Sequence, residues 1–131
     1  MRALTLPLCA VLTAGACKSD ETISGHGGAG HVWTLKKVDG QAFDAQAIIE
    51  FPEEGKITGQ GPCNRFNSTQ SVPYPWFEAG PIMATRMACP DLAAEQVFFS
   101  ALAEMTLSEV AGGTPILSND AGREMVFKAQ P

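Results

Sequence analysis

Histidine is nearly absent: the 131 residues contain two, His26 and His31, with a single tyrosine, Tyr74. General acid–base chemistry and metal ligation near neutral pH lean heavily on imidazole, so both repertoires are thin from the outset. Basic side chains are also few. Nine Lys and Arg stand against 14 Asp and Glu, and the resulting net charge of −5 argues against an electrostatic nucleic-acid binder. No G-x-S-x-G or S-x-x-K nucleophile motif, Walker loop or dinucleotide glycine fingerprint occurs. Gly25, Gly27, Gly28 and Gly30 precede a strand pattern rather than a helix, so they form no phosphate cradle. What remains, 45% hydrophobic and 18% charged residues, is the profile of one packed domain.

The beginning of the chain reads as a secretory signal. Met1-Arg2 gives a short positive start, and Ala3 to Leu12 is an apolar run too short to span a bilayer. Small residues follow up to Cys17. Ala14-Gly15-Ala16 fits ordinary A-x-A cleavage, and the same stretch ending in Cys17 resembles a bacterial lipobox, whose cysteine becomes an acylated N-terminus. The expectation is a signal peptide over residues 1–16, lipidation at Cys17 and a membrane partner reached through the acyl chains. Lys18, in place of an inner-membrane-retaining Asp, points to the outer membrane facing the periplasm; the alternative is a soluble periplasmic protein. Export leads to an oxidising compartment, where Cys63 and Cys89 can form a disulfide. Residues 17–30, polar and glycine-rich, are expected to be a flexible tether, with the folded domain spanning 31–131.

From His31 the hydrophobic period is mostly two. Trp33 and Leu35 alternate with Thr34 and Lys36, and Ala47, Ile49 and Phe51 alternate with Ile48 and Glu50. Asp39-Gly40, Glu53-Glu54-Gly55 and Asp120-Ala121-Gly122 supply turn chemistry, the last leading into a strand over Arg123 to Ala129. Shorter strands are expected at 72–78, 82–85, 106–110 and 115–118; Pro73 and Pro75 make the first an edge strand or a loop. One helix is expected from Pro90 to about Met105. Ala94, Phe98, Ala101, Leu102 and Met105 fall on its apolar stripe, and Asp91 and Glu95 lie near its positive end. The fold class is therefore mainly β: a small antiparallel meander or barrel-like sheet with one amphipathic helix packed on it.

Gly61-Pro62-Cys63-Asn64-Arg65-Phe66 resembles the G-C-N-x-[FY] motif of the META-domain family, the heat-shock lipoprotein HslJ-like group. Thr85-Arg86-Met87-Ala88-Cys89 matches the family's T-x-M-A-C, Trp33-Thr34-Leu35 its W-x-L, and Ile49-Glu50-Phe51 its I-x-F. Pro62 and Asn67-Ser68 depart from glycines usual at those places. The resemblance implies a small barrel-like meander carrying one helix, and a non-enzymatic envelope lipoprotein, stress-related and without established catalytic residues.

The residues themselves offer no catalytic constellation, cofactor or metal site. His26 and His31 make an incomplete metal set, and no histidine accompanies Cys63 and Cys89 to activate a thiol. Arg65 and Arg86 each sit beside one half of the expected disulfide, which would bring both to one rim. They either pair with acidic neighbours or, with Asn64 and Thr85, form an anion-recognition patch. Two further readings are a small-ligand carrier using the barrel interior and an inhibitor acting through the loop Ser71 to Phe77, with Trp76 at its tip. The protein or small-molecule partner is not named by the sequence.

Overall fold

The computed structural model describes residues 19–110 and 112–130. The expected signal peptide and Cys17 lie outside the described residues. Among the described residues nine strands form one antiparallel sheet: β1 (Trp33–Val38), β2 (Gln41–Ala42), β3 (Ile48–Glu50), β4 (Gly55–Gln60), β5 (Arg65–Gln70), β6 (Met83–Ala84), β7 (Leu107–Glu109), β8 (Ile116–Ser118) and β9 (Glu124–Ala129). Their order is β6-β5-β4-β3-β1-β9-β8-β7, with β2 added beside β1. The helix α1 (Leu92–Glu104) joins β6 to β7. This is the expected class: a mainly β half-barrel with one helix.

The inward faces follow the period of two. Trp33 and Leu35 of β1, Ile49 of β3, Ile57 of β4, Leu117 of β8, and Met125 and Phe127 of β9 are all buried. A bulge between Leu35 and Lys37 shifts the pairing of β1 with β9, so Lys36 and Lys37 both face solvent and Val38 returns to the core. Rings pack ring on ring inside: Trp33 meets Phe51 at 4.8 Å and Phe127 at 5.8 Å, and Phe51 meets Phe77 at 6.3 Å. Phe98, Ala101, Leu102 and Met105 bury the expected stripe of α1, with Phe98 and Phe99 stacked edgewise on Phe66.

Register gives the sheet two distinct ends. The start of β1, the ends of β3 and β5 and the end of β9 share one, the entry end; the start of β5, the end of β4 and the start of β9 share the other, the far end. Both ends of α1 meet far-end loops. Its first turn reaches the loop before β5, and Glu104 at its end receives Arg123, which also binds Asp39. Hydrogen bonds from Arg123 and from the Glu124 amide hold the Asp39 carboxyl below the ordinary carboxylate range.

Two sequence expectations need correction, and one that was left open is decided. First, β5 forms where no strand is expected. Its inward positions are Phe66, Ser68 and Gln70, polar except the first, so no hydrophobic alternation announces it. Secondly, of the two readings left open for residues 72–78, edge strand or loop, the loop is the one formed; only Trp76 makes an isolated bridge, to Leu107. The segment is a strap across the open side of the half-barrel. On one side Gly80 N–H donates to Thr69 O (2.9 Å); on the other Phe77 N–H donates to Thr106 O (2.8 Å) and Ser108 N–H to Pro75 O (2.7 Å). The hydroxyl of Ser68 donates to Gly80 O at 2.7 Å and the Gln70 amide bonds Val72 and Glu78, so the polar inner face of β5 is what fastens the strap.

The other correction concerns the tether, which does not extend through residues 19–30. A 3-10 turn, Ile23–His26, docks against the entry end, with Ile23 only 1% exposed. The Asp20 carboxylate accepts hydrogen bonds from Thr22 N–H (2.9 Å), Thr22 Oγ1 and Ser24 Oγ. The His26 ring stacks on Tyr74 at 4.8 Å, and Tyr74 N–H donates to Glu21 O at 2.7 Å. Four polar-looking residues, Asp20, Thr22, Ser24 and His26, thus build the docked turn that their composition concealed.

Candidate functional site

The two motif segments meet at the far end. The loop Gly61–Asn64 connects β4 to β5, and residues 85–89 run from β6 to the helix. Cys63 and Cys89 are joined by a disulfide, with Cα atoms 5.6 Å apart. Beside the bridge lies a buried polar clamp. Asn64 is 4% exposed and every hydrogen-bonding position of its side chain is filled. Its Nδ2 donates to Met87 O (3.0 Å) and Glu95 Oε2 (2.6 Å), and its Oδ1 accepts from Met87 N–H (2.6 Å) and Thr85 Oγ1 (2.9 Å). Donors and acceptors on the Met87 backbone fix which amide atom is which.

Glu95, in the first turn of α1, completes the clamp. It is 2% exposed, and its Oε1 accepts from the backbone N–H groups of Cys63 (3.1 Å) and Asn64 (2.7 Å). Charge-assisted bonds of this kind are each worth roughly 1.5–3 kcal/mol, and they compensate the desolvation of a buried carboxylate. Glycine at position 61 has a steric reason: a Cβ there would lie 2.6 Å from Glu95 Oε1. Sequence reading placed Glu95 at the helix start but missed this role. The signal was available, because Glu95 lies three and seven residues before Phe98 and Leu102, a carboxylate on the apolar stripe.

The expected recognition patch is only partly assembled. Asn64 and the Thr85 hydroxyl are committed to the clamp and face inward, so Asn64 is corrected from a recognition residue to a structural one. Arg65 and Arg86 are exposed. Neither forms an ion pair: among the described residues the pairs are Lys56–Glu53, Arg123–Asp39 and Arg123–Glu104. Arg65 lines a groove of about 480 Å³ with Met83, Ala84 and Asn67; Arg86 lines one of about 280 Å³ with Met87, Ala88 and Leu92. The grooves share Thr85, so the one lined by Arg65 adjoins the one lined by Arg86. Met83 and Met87 are 66% and 67% exposed beside them.

Elsewhere, His26 lies in the docked turn and His31 is exposed. Among the described residues no three His, Cys, Asp or Glu side chains gather as a metal site, and no helix is long and apolar enough to cross a membrane. Trp76, the tip of the strap, is 58% exposed, whereas its neighbour Phe77 is buried.

Two structures determined by NMR share this architecture. A protein from Burkholderia xenovorans is 20% identical with a TM-score of 0.63, covering 82% of this chain and 86% of its own. A second protein is 22% identical with a TM-score of 0.59, covering 75% and 87%. At these identities the likeness is one of fold. No curated protein matches the sequence. The family model of the META domain matches residues 27–131, which include both halves of the disulfide, Asn64, Glu95 and all nine strands. The chain belongs to the META domain family.

Proposed function

We propose that this META-domain protein is a non-enzymatic binding module of the cell envelope, of the heat-shock lipoprotein (HslJ-like) group, anchored in the outer membrane through acylated Cys17 and facing the periplasm. One observation carries the binding reading. Both motif segments use their polar groups on each other, in a clamp that leaves Arg65, Arg86, Met83 and Met87 exposed on a rigid rim. A catalytic motif would instead leave polar groups converging on a cleft. Trp33, Phe51, Phe77 and Phe127 pack on one another inside the half-barrel, which favours this reading over a small-ligand carrier.

Anchoring is tested by the intact mass of protein extracted from membranes, with and without reductant. The expected result is acyl mass on Cys17, and a gain of two hydrogens on reducing the Cys63–Cys89 bridge. A mature chain carrying no acyl mass would overturn the anchor. A stress role requires that the protein's abundance rise after a temperature upshift. A second reading, inhibition of a periplasmic enzyme through the strap, is favoured by the exposed indole of Trp76; it requires Trp76→Ala to abolish partner capture.

A further inference from the structure

The rim described above adjoins a feature that carries the binding reading further, to a class of partner. Among the described residues β6 is the terminal strand of the sheet and pairs only with β5. Thr85 N–H donates to Arg65 O, so strand alternation turns the N–H and C=O of Ala84 away from β5, to the open side. Ala84 is exposed, and among the described residues no other strand takes up these groups. An open edge is a template for another main chain, and proteins usually blunt it. Here it is short, but it is bracketed by two unpaired arginines and by exposed Met83 and Met87, in a chain whose net charge is −5. Methionine surfaces adapt to varied apolar side chains, and guanidiniums recognise carboxylates in a bidentate manner.

We propose that the open side of β6 docks an extended, acidic polypeptide segment by strand addition. Its main chain pairs with Ala84, its carboxylates lie on Arg65 and Arg86, and its apolar side chains rest on Met83 and Met87. This rests on the binding reading, not on the anchor. The disulfide and the Asn64–Glu95 clamp hold residues 85–89 in place before the partner arrives, which lowers the ordering cost of association. Charge complementarity selects the partner: an acidic strand is attracted to the two arginines, and a basic one is repelled.

The full exported chain in detergent is panned against displayed random peptides of about ten residues, and one enriched sequence is synthesised with a fluorescent label. The expected result is enrichment of Asp and Glu alternating with apolar residues. Binding should weaken at least about tenfold in Arg65→Glu/Arg86→Glu and fall with rising salt. In the complex the Ala84 amide should be protected from hydrogen exchange. Both arginines lie outside the clamp, and an unchanged unfolding midpoint verifies that the variant folds. The proposal is overturned if no peptide is enriched, if the enriched peptides lack acidic residues, or if the double variant binds equally well. Heparin binding in preference to peptide, with Ala84 still exchanging, would also overturn it in favour of an anionic saccharide. None of these outcomes bears on Cys17, whose acylation is read by mass alone.

Discussion

At the scale of single residues, the chemistry of this domain concentrates in one amide. Asn64 satisfies two segments at once because an amide both donates and accepts, and it faces Glu95 with its donor side. Asn64→Asp keeps the shape and reverses that half of the logic by setting a second carboxylate 2.6 Å from the first. The variant is expected to lose about 3 kcal/mol at neutral pH, measured by denaturant unfolding. Glu95 was legible as a charge on an apolar stripe. Asn64 was not: its partners are main-chain atoms of residue 87, 23 positions away, and no local pattern reports a backbone contact of that range.

At the scale of elements, legibility followed the hydrophobic effect. β1, β3, β9 and α1 bury apolar side chains at their own period and could be read directly, as could the turns at Gly55 and Gly122, both with φ of 83°. β5 and the turn after Asp20 are held by polar side chains, which read as loop and tether. That turn carries a pH dependence. Burial alone would raise the Asp20 carboxyl, but the hydrogen bonds from Ser24 and Thr22, with the charge of His26 nearby, outweigh it and leave the pKa lowered. A lowered pKa contributes stability that is present above the unfolded value, about 3.9, and is lost as pH falls through the folded one. Below about pH 4 the Gly28 amide, bonded to Ile23 O at 2.9 Å, should therefore exchange faster relative to core amides. Asp20→Asn should remove that acid dependence. Exchange at Gly28 that tracks the core at every pH would refute this account of the turn.

At the scale of the whole molecule, the meander and its helix followed from the sequence, whereas closure did not, because it depends on a strap that bonds β5 and β7 from opposite sides. The disulfide acts at this scale too, joining the β4–β5 loop to the helix entrance across 26 positions. On the chain-entropy model such a loop stabilises the fold by about 3.5 kcal/mol. Cys63→Ser/Cys89→Ser should lower the melting temperature by roughly 15 °C while the strand content, followed by circular dichroism, survives at 25 °C. The docked segment beginning at residue 19 also limits reach. Only Lys18 lies between Cys17 and Ser19, so the two Cα atoms are at most about 7 Å apart. An acylated sulfur would consequently seat the entry end on the headgroups and raise the arginine-bearing rim by about one strand length, roughly 20 Å. Such a protein would be a post and not a pendulum, and whatever it meets would have to descend to that height above the bilayer.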